Sequence, residues 1–285
     1  MTLREKHLDK QFTITVELDP PKSSSAQFTF DQAARLQGKV DAINIADSPM
    51  SKMRMSPISL SYLLQHKENI ETIFHLTCRD RNIIGLQSEL LGAAALGVHN
   101  ILTLSGDQPS NGDHPFAKAV FEIDSMGLLK VAKTLNSGKD MAGNDLDEPT
   151  HFYIGTTGNP GASDLEIERQ KLIAKIEHGA NFVQTQPIYD LEQAKRYIDI
   201  MSPYNIPIML GLIPLKSFKM AMYLHEKVPG ISLTPEILTR MEKGGKVAGL
   251  EIAIETLEEI KKIASGVHIM PLNDIDTVLH LIDHV

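Results

Sequence analysis

Short apolar, β-branched runs alternate with helical patterns from one end of the chain to the other. In residues 12–18 apolar side chains alternate with threonines, as the two faces of a strand require. In residues 164–178 and 249–264 apolar residues recur at three- and four-residue steps, which predicts amphipathic helices. The pattern predicts eight strands, each followed by a helix: "FTITVEL", "VDAINIA", "ETIFHLTC", "HNILTLSG", "THFYIGTT", "NFVQTQP", "IPIMLGLIP" and "GVHIMPLN".

Eight strand–helix units in 285 residues predict an α/β protein with a closed (β/α)8 TIM barrel. No proline- or serine-rich linker divides the sequence, so we predict a single domain over residues 1–285. Residues 136–149 form a polar excursion, and residues 227–248 add a helix before the last crossover. The alternative, an open doubly wound sheet, lacks the glycine-rich fingerprint that would follow its first strand.

Composition narrows the possible partners. The chain has 28 Lys and Arg against 36 Asp and Glu, and this net charge of −8 argues against nucleic acid as a binding partner. The single cysteine, Cys78, favours a buried apolar role and excludes an internal disulfide, and no metal-ligand spacing is present. The charged start and the lack of an apolar run of ~20 residues predict a cytoplasmic protein without a membrane span.

Polar residues cluster where the predicted strands end, which is where barrel enzymes carry their chemistry. Glu17 is the most informative, because a carboxylate at the rim of a core is costly and Glu forms neither turns nor strands well. Asp107 has a second interpretation as a loop or cap residue, and His75 as a hydrogen-bonded core histidine. The other candidates at strand ends are Asn44, Asp47, Ser48, Thr77, Gln184, Gln186 and Asn273. The residues alone predict a barrel enzyme with acids and amides around one mouth.

Five motifs, in order, resemble the methylenetetrahydrofolate reductase family over nearly the whole chain: "ELDPP", "HLTCRDRN", "LLGAAALGVHNILTLSGDQP", "GANFVQTQPIYD" and "GLIPLKSF". The resemblance implies a flavin-binding barrel of the catalytic type, without an appended regulatory domain. It would reduce 5,10-methylenetetrahydrofolate to 5-methyltetrahydrofolate in one-carbon metabolism and methionine biosynthesis. The implied cofactor is FAD, with FMN as the alternative.

The resemblance also implies roles for individual residues. Glu17 would be the general acid, with its pKa raised by an apolar setting and by Asp107, which would itself act at the pterin and flavin end of the site. Gln186 would hydrogen-bond folate, and Phe218 would stack on its aromatic ring. The positions matching the flavin-binding motif are His75, Gly106, Asp107, Glu168 and Lys175.

Three departures from the family pattern concern the cofactor. Ser105 stands where some relatives have Arg, Phe121 stands where a flavin-contacting Tyr occurs, and "GTTGNP" replaces an Ala-Ala-Tyr-like stretch. They leave open whether the flavin is FAD or FMN. They also leave open the electron donor, which is NADH, NADPH or a partner redox subunit. We expect the protein to form an oligomer or a complex.

Two alternative functions use the same folate pocket. One is a methyltransferase that binds methyltetrahydrofolate, and the other is a non-catalytic folate-binding barrel subunit of a larger complex. Oxidised-flavin absorption in the purified protein would favour the reductase over both.

Overall fold

The computed structural model describes residues 1–284, and in these residues eight strands form a closed barrel in chain order. The strand bounds are Thr13–Leu18 (β1), Ala42–Ile45 (β2), Thr72–Thr77 (β3), Asn100–Leu104 (β4), Tyr153–Gly158 (β5), Phe182–Pro187 (β6), Ile208–Leu212 (β7) and Gly266–Ile269 (β8). Every residue of β2, β3, β7 and β8 is buried, as expected for parallel strands covered on both faces. The predicted (β/α)8 barrel and all eight predicted strands are confirmed.

Helices lie between successive strands, and most begin at a side chain that caps their first backbone N–H groups. Asn82, Asp124, Asp190 and Ser217 each accept a hydrogen bond from the backbone three residues later. The helix bounds are Leu3–Leu8 (α1), Gln27–Leu36 (α2), Pro57–Glu68 (α3), Ile83–Ala95 (α4), Ser125–Asn136 (α5), Leu165–Glu177 (α6), Leu191–Met201 (α7), Phe218–Lys227 (α8), Pro235–Ile263 (α9) and Ile275–Ile282 (α10). None of the helices in residues 1–284 combines the length and apolarity that a membrane crossing requires.

The structure refines two of the predicted segments. The helix predicted over 164–178 is α6, whereas the one predicted over 249–264 is the second half of α9, which begins at Pro235 and has a kink at Gly245 (φ 52°, ψ −131°). The added helix expected within 227–248 is therefore the first part of α9. In the polar excursion over 136–149, an isolated antiparallel bridge joins Lys139 to Asp145.

Two compact units are distinguishable in the chain. The first unit comprises Met1–Val16, Gly158–Ile173 and Val183–Val285, and the second comprises Glu17–Thr157 and Ala174–Phe182. The prediction of one domain over residues 1–285 stays a prediction.

The second unit contains the parallel pairs β2–β3, β3–β4 and β4–β5. Asn44 on β2 lies opposite Ile73 on β3, and His75 lies opposite Leu102 on β4. The Tyr153 ring stacks on Phe182 with 5.0 Å between the ring centres.

The first unit contains the pairs β1–β8, β6–β7 and β7–β8. The β6–β7 register is irregular between Gln184 and Pro187, which is a β-bulge at the carboxyl end of β6. The hydrophobic core of the first unit lies between α8, α9 and the segment after β7, and its buried members include Tyr189, Leu215 and Met241.

Candidate active site

Two acidic residues, separated by Leu18, lie at the carboxyl end of β1. Glu17 and Asp19 are both half-buried. Burial raises the pKa of Asp19 above its ordinary value and the charge of Glu17 raises it further, while Arg54 opposes this rise. Ionising both groups therefore costs more than ionising one. The expectation that Asp107 acts on Glu17 stays a prediction, and Asp19 is a further carboxylate that interacts with Glu17.

His75 lies within β3, below the strand's last residue. Its side chain is buried, and a hydrogen bond of 2.9 Å joins its Nε2 to Nδ2 of Asn44 on β2. Each of these buried polar groups gives the other a partner, which the core requires. The geometry matches the interpretation of His75 as a hydrogen-bonded core histidine, and its contact with a flavin stays a prediction.

Gly106 and Asp107 follow β4. Gly106 has φ +90°, and a Cβ added there would lie 2.9 Å from Cβ of Thr77 at the end of β3. Only glycine combines this backbone conformation with so close an approach. Asp107 is exposed, and its backbone carbonyl accepts a 2.8 Å hydrogen bond from the Ser51 hydroxyl. The Asp107 carboxylate is thus presented to solvent from a fixed backbone.

Arg79, which the sequence analysis did not single out, lies just beyond β3 and is 3% exposed. Its guanidinium group donates to the Asp80 carboxylate at 2.8–3.0 Å and to the carbonyl oxygens of Ser48 at 3.1 Å and Asp47 at 3.3 Å. It also donates to the Ser51 hydroxyl at 3.4 Å. Four residues thus accept hydrogen bonds from one buried cation.

The loop after β2 has a strained backbone. Ser48, Met50 and Ser51 have φ values of 47°, 55° and 54°, and each such non-glycine residue costs about 1–3 kcal/mol. Strain of this kind persists only where surrounding contacts fix it. The Asp47 side chain supplies such contacts by accepting from the backbone and hydroxyl of Thr77 and from Arg81 at 2.8–3.0 Å.

One sequence signal could have identified this cluster. The segment "CRDRN" places two arginines and an aspartate directly after a fully buried strand. Charges in that position need partners. The sequence does not say which backbone groups they bind.

Lys175 lies on α6 and is half-buried. Its ammonium group donates a 2.6 Å hydrogen bond to the carbonyl of Thr157, near the carboxyl end of β5. A cation is therefore held at a strand end of the second unit. In this unit the structure places Glu17, Gly106, Asp107 and Lys175 at or beside the carboxyl ends of strands, and His75 one layer deeper.

Gln186 lies at the β-bulge of β6, in the first unit, with an exposed side chain. Two residues earlier, Gln184 is buried and donates to the hydroxyl of Thr15, which is 3.1 Å from Nδ1 of His268. Side chains two residues apart share one face of a regular strand, so the bulge between Gln184 and Pro187 is what separates a buried amide from an exposed one. Gln186 is free to meet a ligand, whereas Gln184 belongs to a buried polar network.

Glu168 and Phe218 have clear structural contacts in the first unit. Glu168 is 6% exposed, and its carboxylate accepts a 2.9 Å hydrogen bond from the backbone of Asn159, just after β5. Phe218 is the first residue of α8, is half-buried, and packs against the hydrophobic core of this unit. Their cofactor and folate roles stay predictions.

The strand-end residues fit a flavin in their chemistry. A cation at the end of β5, a glycine that permits close approach after β4, and an exposed carboxylate beside it are groups that can meet a phosphate and a polar ring system. Within the described residues, no three His, Cys, Asp or Glu side chains are grouped as a metal site would require.

A closed (β/α)8 barrel with acids and amides at its strand ends is typical of an enzyme of the TIM-barrel class. A family model described as methylenetetrahydrofolate reductase matches residues 2–285. The chain belongs to the methylenetetrahydrofolate reductase family, as its motifs predict. Membership implies a flavin cofactor.

Relatives with this name are distant in sequence. Methylenetetrahydrofolate reductase 1 of Schizosaccharomyces pombe is 23% identical over 280 residues, which cover 90% of this chain and 43% of that protein. The 5,10-methylenetetrahydrofolate reductase of Salmonella typhimurium is 22% identical over 263 residues, covering 88% of this chain and 83% of that protein. The chain thus spans less than half of the S. pombe relative and most of the bacterial one.

A solved structure shares the fold. It is an uncharacterized protein from Clostridium thermocellum described as binding two copies of 5-methyl-5,6,7,8-tetrahydrofolic acid. The TM-score is 0.69 at 17% identity, and the match covers 99% of this chain and 96% of that one.

Proposed function

We propose that the protein reduces 5,10-methylenetetrahydrofolate to 5-methyltetrahydrofolate with a bound flavin. The observation that carries the proposal is the match of the family model across residues 2–285. The strand-end acids and the exposed Gln186 amide supply the chemistry that this substrate needs. The folate ligand of the C. thermocellum protein agrees with the proposed substrate class.

We propose FAD as the flavin, with FMN as the alternative, and NADH, NADPH or a partner redox subunit as the electron donor. The bound flavin supplies the hydride. Lys175, held at the end of β5 by its bond to Thr157, would offset phosphate charge. His75, Gly106, Asp107 and Glu168 complete the proposed contacts. We also propose that the protein acts as one domain, in the cytoplasm, within an oligomer or a complex.

Glu17 is the proposed general acid. The ring that bridges N5 and N10 of the substrate must open to a 5-iminium cation before hydride can reach its carbon, and N10 is a poor leaving group. A proton from Glu17 to N10, directly or through one water, assists this step. The neighbouring Asp19 supports the role, because burial and the charge of Glu17 raise the pKa of Asp19, so this end of β1 retains a proton at higher pH than an isolated carboxylate would.

Gln186 and Phe218 are the proposed folate contacts. The exposed Gln186 amide can donate to and accept from a pterin edge. Phe218 is partly exposed at the start of α8 and offers an aromatic face for stacking. Asp107 would act on the pterin and flavin end from its exposed position after β4.

The test is Glu17→Gln, which preserves shape but removes the proton. We expect the variant to fold, bind flavin and accept electrons normally, while flavin reoxidation by methylenetetrahydrofolate slows by about 10²–10⁴-fold. Stopped-flow absorbance measures the two half-reactions separately. Glu71→Gln is the matched control: Glu71 accepts from Asn100 beside the amino-terminal end of β3, and the folate half-reaction should stay near wild type.

Two outcomes would contradict the proposal. Reoxidation of Glu17→Gln at the wild-type rate would show that Glu17 is not the acid. A colourless protein that binds no added flavin would refute the reductase and favour one of the folate-binding alternatives. Anaerobic reduction of the bound flavin by NADH and NADPH in turn identifies the donor, and reduction only in the presence of cell extract indicates a partner subunit.

A further inference from the structure

The loop after β2 and the strand end carrying Asp107 meet at the residues just beyond β3. The backbone N–H of Cys78 donates to the carbonyls of Leu104 and Ser105, and the Cys78 and Arg79 carbonyls accept from Phe121 and Val120. The end of β3 is therefore bonded to the start and to a later part of the segment that follows β4.

Arg79 extends this connection to the loop after β2. Its guanidinium group donates to the carbonyls of Asp47 and Ser48 and to the hydroxyl of Ser51. The same hydroxyl donates to the backbone carbonyl of Asp107 at 2.8 Å. A chain of hydrogen bonds thus runs from a buried cation to the residue that presents the proposed pterin-facing carboxylate.

Close steric contacts also join the segment after β4 to Arg79 and to the loop after β2. A Cβ on Gly106 would lie 3.1 Å from Cβ of Arg79, and a Cβ on Gly112 would meet the Ser51 backbone. The two loops therefore pack backbone to backbone, without room for side chains between them. Because Ser48, Met50 and Ser51 all have left-handed backbones, the loop needs such outside contacts to keep its shape.

The charge balance fits a structural anchor. Burial lowers the pKa of Arg79, but the hydrogen bond to Asp80 and the charges of Asp80, Asp47 and Asp107 outweigh it, so the pKa lies above its ordinary value. The guanidinium N–H groups donate to protein acceptors, which argues against Arg79 as a direct substrate ligand.

We infer that Arg79 is a positioning residue for folate reduction: it fixes the strained loop after β2 and, through the Ser51 hydroxyl, the backbone at Asp107. The inference rests on the proposed function, since it deepens the role of Asp107. It assigns a function to a residue whose guanidinium group donates to protein acceptors.

Ser51→Ala is the first test, because it cuts the link to Asp107 without leaving a buried charge. We expect the folate half-reaction to slow roughly three- to tenfold, since one hydrogen bond of ordinary strength is lost. Donor-driven flavin reduction should stay within twofold of wild type. The control is Ser56→Ala, which removes the cap of α3 and lowers stability but has no bond to Asp107, so its folate rate should be unchanged.

A double-mutant cycle separates positioning from general loosening. In an Asp107→Asn background, Ser51→Ala should slow the folate half-reaction less than twofold further. An undiminished effect in that background would overturn the inference, as would a wild-type folate rate in the single variant.

Arg79→Lys tests the anchor itself. Lysine keeps the charge but cannot serve four acceptors in a fixed fork. We expect trypsin to cut after the exposed Lys52 several-fold faster than in wild type or Ser56→Ala, and an unchanged cleavage rate would overturn the anchoring role. If the wild-type protein reduces no folate, the proposed function fails, while the cleavage comparison still decides whether Arg79 holds the loop.

Discussion

Gly211→Ala tests how the position of Gln186 depends on the neighbouring strand. Gly211 lies on β7, opposite the bulge of β6, and its backbone N–H donates to the Thr185 hydroxyl at 3.0 Å. A Cβ at this position would lie 2.5 Å from the Thr185 carbonyl oxygen and 2.8 Å from the carbonyl carbon and oxygen of Gln186. All three atoms are backbone, so no side-chain rotation relieves the contact.

The magnitude follows from that geometry. Moving the oxygen from 2.5 Å to the 3.0 Å below which real Cβ contacts essentially never occur requires 3.0 − 2.5 = 0.5 Å of displacement. Overpacking of this kind costs about 1–3 kcal/mol, and the upper half applies because strand backbone must shift. The bulge would move with it. Loss of one Gln186 hydrogen bond, about 0.5–1.5 kcal/mol, would weaken folate binding roughly two- to tenfold.

Urea denaturation and folate titration of the folded variant provide the assay. Gly92→Ala is the control: Gly92 lies on α4 with nothing within 4 Å of an added Cβ, so alanine should stabilise the protein by about 0.5–1 kcal/mol. Unchanged stability in Gly211→Ala would refute the close approach. Lowered stability with wild-type folate affinity would show that Gln186 is not a folate contact.

Three further predictions concern titration and charge. Burial and the charge of Glu17 raise the pKa of Asp19, so the folded protein keeps this proton at pH values above the ordinary pKa of 3.8, and its stability falls as the pH rises through that range. Asp19→Asn should therefore be more stable than wild type in urea at pH 7, with a smaller difference below pH 3.8. Equal stability of the two proteins at both pH values would contradict this. Burial, and then the charge of Asp124, raises the pKa of Cys78 to about 12, so a thiol reagent should label it at pH 8 only after unfolding, and rapid labelling of native protein would show an accessible thiolate. Lys175→Glu should release flavin on dilution because it reverses the charge at the end of β5, whereas Lys175→Arg should retain the flavin. Flavin absorbance after gel filtration measures both variants, and full retention by Lys175→Glu would disprove the phosphate contact.

The fold was predictable because each signal is local. Alternation of apolar side chains along "FTITVEL" and three- and four-residue steps in 164–178 are properties of neighbouring residues, and they correspond to β1 and α6. The α9 boundary was harder to predict, because two helical stretches meet at Gly245 with a kink and no intervening loop between them.

The candidate site was predictable in part. Placement of Glu17, Asp107 and Gln186 at strand ends follows from where each strand stops along the chain. The interaction of Glu17 with Asp19 and the bond between Asn44 and His75 were not predictable in the same way, because they depend on side-chain direction and on the register between strands.

The sequence by itself determined the barrel, the family and the residue types at the strand ends, because hydrophobic period and motif order are written along the chain. Only the tertiary structure decided what Arg79 does. Nothing in "DSPMSK" marks a left-handed backbone, since glycine and asparagine are absent from it. That conformation exists because a buried guanidinium group, brought from the end of another strand, holds the carbonyls of Asp47 and Ser48 and, through Ser51, the backbone of Asp107.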